Sequence, residues 1–363
     1  MHIVFRVDSS DQIGTGHVMR CLTLAEALRE RGANCIFICR NHPKNIYYLI
    51  KEKHFLLYLL EILPRIHQPS DNWLGVEQIE DAEQTLGVIK NLTAIPDWLI
   101  IDHYEIDIAW ESKLREYVKK IMVISDLIDR KHNCDLLLSQ NLVHIPEQFH
   151  SLVPKNCRIL CGYETLLFRP QFVKVRQDYH QPTVPFQRVL VAFSGIDKFN
   201  LIKNILEHLA FLPVAYISEV TILLGLTTQS DMDVKKFAER LTQFPWRINV
   251  VNSVNNMANL IASHDIAISA AGFTAYELAF LNVPTVLLPV SSVQKEVANF
   301  LQSCALVEVL DVKFGIDQLL ELWQKLEQKA RLNLTRGTGL LRSIDGCGTD
   351  KVCEIMWRLA EKL

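Results

Sequence analysis

A histidine follows two glycines near the start of the chain, in the run Gly14-Thr15-Gly16-His17. The apolar run Ile3–Val7 before it predicts a buried strand, and apolar residues after it recur at the spacing of a helix that ends near Gly32. His17 is therefore expected in the first turn of that helix. The partial positive charge and unpaired N–H groups there disfavour an imidazolium. A neutral imidazole is what a general base needs, so His17 is a candidate base.

The glycines beside His17 allow two interpretations. Gly14 and Gly16 could let the backbone approach a ligand closely, or they could simply make a turn before a polar residue at the start of the helix. A dinucleotide-binding fingerprint would need a third glycine where Met19 stands. The spacing therefore argues against a nicotinamide or flavin enzyme.

A second glycine turn, Gly272-Phe273-Thr274, stands between a predicted strand at Ile266–Ser269 and a predicted helix from Ala275. Such a turn offers N–H groups and a positive helix end to a diphosphate. Glu277, one turn further on, could accept hydrogen bonds from two ribose hydroxyls. A tight turn and a solvated glutamate are the alternative. Ser194-Gly195, after a predicted strand, is a weaker phosphate candidate of the same kind.

Other polar residues have simpler explanations. Asp231-x-Asp233 matches the pattern of metal–diphosphate sites, but it directly precedes a helical run and is better explained as an N-cap. No cluster of histidines and cysteines has metal-ligand spacing, so we expect no metal site. His103 and His132 could also act as bases, but we interpret them as polar loop residues.

The elements that must position these residues alternate between strand and helix. In the first half, strands are predicted at 3–7, 35–39, 54–60, 98–102 and 120–124, a further strand and turn at 134–141, and helices at 17–28, 45–53, 107–119 and over most of 68–95. This alternation is typical of a parallel sheet with helices on both faces, which binds ligands at the carboxyl ends of its strands. His17, Asp102–Tyr104 and Ser125-Asp126 are all expected at such ends.

The alternation restarts after a polar segment at 176–187, which we interpret as a linker. Strands are predicted at 188–193, 220–224, 248–251, 266–269 and 283–289, with helices at 200–211, 255–263 and from 275. We therefore expect a first domain over 1–178 and a second over 188–348. A last helix over 349–363 could cross back to the first domain.

Composition limits the possible classes of protein. The chain has 363 residues, 49% of them hydrophobic, and a net charge of −3. These values argue against disorder and against a protein that binds nucleic acid through phosphate contacts. No apolar stretch has the length of a membrane span, and the stretch 46–63 is interpreted as core rather than as a membrane-surface patch. Nine cysteines without Cys-x-x-Cys spacing, and no signal peptide, predict reduced thiols in a cytoplasmic protein.

Together, motifs along nearly the whole chain resemble a known family. They are Arg6–Ser10, Ile13–Leu22, Asp102–Tyr104, Asp126–Arg130, Cys134–Leu138, Leu167–Pro170, Ala271–Glu277, Pro289–Gln294 and Asp345–Gly348. This set is similar to the UDP-sugar hydrolases of pseudaminic acid synthesis. The motifs of the second half also resemble the N-acetylglucosaminyltransferase of peptidoglycan synthesis.

The resemblance implies the α/β fold called GT-B, in which two Rossmann-like doubly wound parallel-sheet domains face a cleft. It implies hydrolysis of UDP-2,4-diacetamido-2,4,6-trideoxy-β-L-altropyranose to UDP and the free sugar, with no metal and no cofactor. UDP is a good leaving group, so activation of one water by a base is the main chemical need. Attack opposite the UDP would invert the anomeric carbon.

The resemblance also implies roles for individual residues. His17 corresponds to the catalytic base. Substrate contacts are expected from Arg6, Asp8, Gly14, Gly16, Tyr104 and Arg169, and UDP contacts from Ser194, Gly195, Gly272, Phe273, Thr274, Glu277 and Gln294. Asp8 is also a candidate for orienting the imidazole. The chain departs from the family pattern at Ser125, at 194–197 and at Val293.

Three other functions remain open from the sequence. A glycosyltransferase of the same fold would pass the sugar to an acceptor, and a hydrolysing UDP-sugar 2-epimerase would release a sugar epimerised at C2. A binding protein without catalysis is disfavoured because His17 is intact beside its glycines. The expected partner is the UDP-sugar, with no nucleic acid and no stable membrane insertion, and the oligomeric state is left open.

Overall fold

The computed structural model describes residues 1–62, 72–178, 184–193, 198–211, 217–224, 244–251, 254, 256–332 and 344–361. The chain forms two compact units. One contains Met1–Phe168 together with Cys347–Leu363, and the other contains Arg169–Gly346. The segment 169–178, predicted to belong to the first domain, thus groups with the second unit, and the C-terminal segment groups with the first.

The first unit is built on a sheet of seven parallel strands. They are β1 His2–Val7, β2 Asn34–Arg40, β3 Leu56–Leu60, β4 Trp98–Asp102, β5 Lys120–Ile124, β6 Leu136–Leu138 and β7 Arg158–Leu160, in the order β3-β2-β1-β4-β5-β6-β7. The helices are α1 Gly16–Glu30, α2 Tyr48–Glu52, α3 Gln78–Lys90, α4 Ile108–Leu114 and a C-terminal helix at Gly348–Ala360. The order reverses beside β1, so β1 and β4 flank a switch point, where ligands bind in such sheets.

The apolar strands form the core of this unit together with the helices that pack on them. One face of the sheet packs with helix residues such as Ile89 and Trp110 in a single buried cluster. The stretch 46–63 contributes the buried Ile46, Ile50 and Leu60, which agrees with its interpretation as core, although Leu56 is 53% exposed. None of the helices in the described ranges is long and apolar enough to cross a membrane.

Three predicted helices have different bounds. The helix predicted at 45–53 is wrong at its start and begins at Tyr48, because the Asn45 side chain accepts a hydrogen bond from the Tyr47 N–H (3.1 Å) and makes a turn instead. The helix predicted at 107–119 ends at Leu114 and continues as one 3₁₀ turn, Arg115–Tyr117. In 68–95, the described helix covers only Gln78–Lys90.

The second unit contains a sheet of six parallel strands. They are β8 Arg188–Phe193, β9 Glu219–Leu224, β10 Arg247–Val251, β11 Ile266–Ser269, β12 Thr285–Leu287 and β13 Val307–Val309, in the order β10-β9-β8-β11-β12-β13. The described helices are α5 Pro170–Asp178, α6 Lys198–Leu209, α7 Met257–Ala262, α8 Phe273–Phe280, α9 Ser292–Cys304 and α10 Ile316–Arg331. Here the order reverses between β8 and β11, and the Gly272 turn directly follows β11.

Several boundaries in this half differ from the prediction; for example, the strand predicted at 283–289 covers only Thr285–Leu287, and the helix predicted at 200–211 covers Lys198–Leu209. The linker predicted at 176–187 overlaps the end of α5, which extends to Asp178. The helix predicted from Ala275 begins at Phe273, because Gly272 already occupies the N-cap position. The two parallel sheets with alternating helices agree with the predicted α/β class.

The C-terminal helix is closely fitted into the first unit. A Cβ atom added at Gly348 would lie 2.3 Å from the Leu166 carbonyl oxygen, so any larger residue would force the backbone apart. The Thr349 hydroxyl donates a hydrogen bond to the Phe168 carbonyl (3.1 Å), and Arg31, the residue directly after α1, pairs with Asp350 (2.5 Å). The glycine at 348 therefore permits a backbone approach that no other residue allows.

Candidate active site

His17 lies in the first turn of α1, and its side chain faces a carboxylate from a neighbouring strand. The imidazole is 7% exposed, and its Nδ1 lies 2.6 Å from Oδ1 of Asp102, the last residue of β4. The switch point between β1 and β4 brings the two residues together although they are distant in sequence. Within the described residues, Nε2 of His17 has no hydrogen-bond partner, so it remains available to water or a ligand.

Asp102 is itself held by an arginine. The carboxylate is fully buried, and it accepts hydrogen bonds from Arg20 Nε at Oδ2 and from Arg20 Nη2 at Oδ1, both at 2.6 Å. Burial alone would raise the pKa of Asp102, but Arg20 and His17 lower it well below its usual range. An ionised Asp102 favours the imidazole tautomer with the proton on Nδ1, which leaves the lone pair of Nε2 free to accept a proton.

Arg20 joins this pair to a second carboxylate. Its Nη1 donates to Asp126 Oδ2 at 2.5 Å, and Asp126 also accepts the Gln140 N–H at 2.6 Å and the Tyr104 hydroxyl at 3.3 Å. The Tyr104 ring meets the imidazole of His17 edge-on, with centroids 4.6 Å apart. Burial and Asp126 raise the pKa of Tyr104, so its phenol stays protonated near neutral pH.

No role in the site was predicted from the sequence for Arg20, Asp102 or Asp126. Two signals were present. Asp102 and Asp126 each follow a predicted strand at its carboxyl end, and Arg20 is three residues from His17 on the same helix face.

Asp8 does not orient His17, contrary to the sequence prediction. Its carboxylate accepts hydrogen bonds from Arg6 Nη1 and from the Arg40 N–H, both at 2.6 Å, and Arg6 also pairs with Asp81 of α3 (2.5 Å). Arg6 and Asp8 are completely buried. A direct substrate contact requires an accessible side chain, so this arrangement does not support the predicted contacts. The two residues instead join β1 to β2 and α3.

The glycine loop leaves the start of α1 open. Gly14 has φ +80°, a conformation that favours glycine, and its N–H donates to the Ser10 carbonyl (2.8 Å). Gly16 is exposed, and the Thr15 side chain makes no capping hydrogen bond. The first-turn N–H groups beside His17 are therefore not capped by the N-cap side chain.

The two alternative histidine bases are both buried. The His103 Nδ1 accepts the Glu105 N–H (3.1 Å), and burial lowers the pKa of His103 to about 4. The His132 Nδ1 lies 2.6 Å from Oε1 of the buried Glu111. In the part of the chain that the structure describes, Nε2 of each ring also has no hydrogen-bond partner, but both of these atoms are buried away from solvent, unlike Nε2 of His17.

The second unit holds the other predicted carboxylate. Glu277 of α8 is 5% exposed, and its Oε1 accepts a hydrogen bond from Arg169 Nη2 at 2.7 Å. Burial raises the pKa of Glu277, and Arg169 opposes that rise. Among the residues that the structure describes, Oε2 of Glu277 has no hydrogen-bond partner. Arg169, predicted as a substrate contact, thus holds Glu277 in place.

The Gly272 turn resembles the Gly14 loop, because in both the following helix begins without a capping hydrogen bond from the N-cap side chain. Gly272 is exposed and is the N-cap of α8 without a side-chain capping bond, and Phe273 and Thr274 follow it in the first turn. The Gln294 side chain accepts a hydrogen bond from the Val290 N–H (3.0 Å) and so stabilises its own turn.

Ser194, Gly195 and the Asp231-x-Asp233 pair lie outside the described residues. In the described ranges, no three His, Cys, Asp or Glu side chains are grouped to hold a metal ion.

No family model matches the chain, but several known proteins are similar to it in sequence. An uncharacterized protein of Methanocaldococcus jannaschii is 25% identical over 300 residues, covering 82% of this chain but only 57% of that protein. The UDP-2,4-diacetamido-2,4,6-trideoxy-β-L-altropyranose hydrolase of Campylobacter jejuni is 26% identical over 277 residues, covering 75% of this chain and 85% of that protein. The spore coat polysaccharide biosynthesis protein SpsG of Bacillus subtilis is 24% identical over 373 residues, covering 100% of this chain and 99% of that protein.

Solved structures match over almost the full length at low identity. Acinetobacter baumannii MurG has a TM-score of 0.61 at 13% identity and covers 98% of this chain and 99% of its own. The UDP-GlcNAc 2-epimerase of Neisseria meningitidis, bound to UDP-GlcNAc, has a TM-score of 0.59 at 12% identity, and the match covers 99% of this chain and 100% of the epimerase. At these identities the likeness shows the fold alone. The chain therefore has the GT-B fold, and its similarity to the Campylobacter jejuni hydrolase confirms the resemblance predicted from its motifs.

Proposed function

We propose that this protein is an enzyme of nucleotide-sugar metabolism that hydrolyses UDP-2,4-diacetamido-2,4,6-trideoxy-β-L-altropyranose to UDP and the free sugar. The observation that carries the proposal is the His17–Asp102 pair, whose 2.6 Å contact fixes Nδ1 and leaves Nε2 available. The substrate class is supported by the name of the Campylobacter jejuni relative.

The proposed chemistry uses His17 as a general base. Nε2 accepts a proton from water while the water oxygen forms a bond to the anomeric carbon. The bond from that carbon to the UDP oxygen breaks, and its electron pair leaves with UDP. The ionised Asp102 stabilises the imidazolium that forms, and Arg20 keeps Asp102 in place with two 2.6 Å hydrogen bonds. Attack opposite UDP inverts the anomeric centre, and no metal is needed.

The second unit supplies the proposed nucleotide contacts. The open turn at Gly272 presents N–H groups to the diphosphate. The unpaired Oε2 of Glu277 accepts a hydrogen bond from a ribose hydroxyl, while Oε1 is already held by Arg169. A carboxylate fixed in this way loses little side-chain freedom when UDP binds.

Two functions compete with hydrolysis, because transferases and epimerases share this fold. A glycosyltransferase would release UDP only when an acceptor is present. A hydrolysing 2-epimerase would release a C2-epimerised sugar. The sequence relative named as a hydrolase favours simple hydrolysis.

The decisive experiment incubates the purified protein with the UDP-sugar in H₂¹⁸O without an acceptor. We expect UDP release, a sugar with unchanged C2 configuration, and ¹⁸O in the sugar but not in UDP. Label in the phosphate would indicate P–O cleavage, and an acceptor requirement would indicate a transferase. Either result would contradict the proposal.

The role of His17 is tested with His17→Asn. We expect turnover to fall by about 10²–10⁴-fold, the range for loss of a general base, with UDP affinity almost unchanged. A matched control is His132→Asn, which changes a buried histidine paired with Glu111. If both variants are folded and hydrolyse the UDP-sugar with the same turnover, His17 is not the base.

A further inference from the structure

Two cysteines of the first unit are in contact. The Sγ atoms of Cys134 and Cys157 lie 3.5 Å apart. Cys134 precedes β6 by two residues and Cys157 directly precedes β7, and these strands pair in parallel with Leu136 opposite Arg158. The contact thus follows from the pairing of adjacent strands.

The backbone around both cysteines is fixed by hydrogen bonds. The Asp135 N–H donates to the Ile121 carbonyl (2.8 Å), the Arg158 N–H donates to the Asp135 carbonyl (2.9 Å), and the Cys157 N–H donates to the Pro154 carbonyl (2.9 Å). The thiols are therefore held near each other by the sheet. A disulfide needs the 3.5 Å separation of the Sγ atoms to shorten to about 2.05 Å.

The two thiols differ in access to solvent. Cys134 is 3% exposed and belongs to the core, whereas Cys157 is half-buried. The hydrogen bond with Cys157 and burial both raise the pKa of Cys134. Of the pair, Cys157 is the thiol that a reagent in solution can reach first, and Cys134 is placed to react with it next.

We propose that Cys134 and Cys157 form a modification site, a dithiol that a low-molecular-weight disulfide such as glutathione disulfide converts to an intramolecular disulfide. The Cys157 thiolate attacks one sulfur of glutathione disulfide and releases one glutathione. The Cys134 thiolate then attacks Sγ of Cys157 in the mixed disulfide and releases the second. The protein loses two electrons and two protons, and glutathione disulfide gains them as two glutathione thiols.

The position of the pair determines its effect. Both cysteines are at the amino ends of their strands, whereas His17, Asp102 and Asp126 lie at the carboxyl ends of the same sheet. The cross-link would join residues 23 positions apart and restrict the unfolded chain. The oxidised protein should therefore melt at a higher temperature than the reduced protein, with the site around His17 unchanged.

The test treats the reduced full-length protein with glutathione disulfide and measures its intact mass and peptide map. We expect a mass lower by about 2 Da, a peptide pair joined through Cys134 and Cys157, and reversal by dithiothreitol. Cys134→Ser should instead accumulate one glutathione on Cys157. Cys161→Ser is the matched control, because Cys161 is another half-buried cysteine, and this variant should still form the disulfide.

Two results would overturn the proposal. One is a wild-type protein that retains glutathione on Cys157 without forming the internal bond. The other is a peptide map in which other cysteines form the disulfide and Cys134 and Cys157 remain reduced. Both are read from the wild-type protein, so they do not depend on the folding of a variant.

Discussion

Replacing Asp102 with asparagine tests the proposed base most directly. The carboxylate of Asp102 receives three strong hydrogen bonds: Arg20 Nε reaches Oδ2, and Arg20 Nη2 and His17 Nδ1 reach Oδ1, each at 2.6 Å. An asparagine side chain has one acceptor oxygen and one donor NH₂ group. In either orientation of the amide, one N–H of Arg20 therefore faces another donor.

Both orientations should also impair His17. With the NH₂ group toward His17, the imidazole must accept at Nδ1 and carry its proton on Nε2, where it cannot take a proton from water. With the oxygen toward His17, the tautomer is kept but the charge that stabilises the imidazolium is lost. We expect kcat to fall by about 10²–10⁴-fold. One unpaired buried donor should lower the free energy of unfolding by about 1–3 kcal/mol.

The assay is steady-state UDP release by Asp102→Asn, with UDP binding measured by calorimetry and folding by thermal melting. The control is Asp97→Asn, at the opposite end of β4, where the carboxylate pairs with Lys119 at 2.7 Å. UDP affinity should be unchanged in both variants. A folded Asp102→Asn protein with the turnover of the Asp97→Asn control would falsify the assignment of Asp102 as the residue that orients His17.

Four further predictions concern nucleotide binding, metal dependence and the fold. Glu277→Ala should weaken UDP binding by about 1.5–3 kcal/mol in calorimetry, since it removes charge-assisted hydrogen bonds, and unchanged affinity would move the nucleotide elsewhere. Burial raises the pKa of Glu277, although Arg169 opposes that rise. The UDP affinity of the unmodified protein should therefore be full above that raised pKa and should be lost as the pH falls through it. A UDP affinity that stays constant down to the pKa of an ordinary glutamate, about 4.3, would contradict this. Turnover should survive EDTA, and activity that is lost and then restored by Mg²⁺ or Mn²⁺ would count against the mechanism. Gly348→Ala should lower the melting temperature, because its Cβ would lie 2.3 Å from the Leu166 oxygen. Gly87→Ala should not, because apart from its two chain neighbours and the backbone of its own helix no atom lies within 4 Å of the added Cβ.

The architecture was largely predictable from sequence because buried parallel strands are continuous apolar runs. β11 has the predicted bounds, Ile266–Ser269, and β4 and β5 also match. Helix ends were less predictable, since local side-chain hydrogen bonds decide them. The Asn45 turn that delays α2 is an example.

The partner of His17 was missed for a topological reason. Asp8 is near His17 in sequence, but Arg6 and Asp8 are two residues apart at the end of β1, a spacing that puts both on the same side, where they pair with each other at 2.6 Å. Asp102 reaches His17 because β4 lies beside β1. Sequence alone predicts that both strands end near the site, but not that they are neighbours.

The division of the chain has a consequence for its biosynthesis. The first unit needs residues from both ends of the sequence, whereas Arg169–Gly346 is one continuous segment. During translation, all of that segment is synthesised before the residues of the helix Gly348–Ala360. Leu166 and Arg31 of the first unit, which contact this helix, therefore remain uncovered until the helix has left the ribosome. A nascent chain that ends at Gly346 thus contains every residue of the second unit but lacks a part of the first.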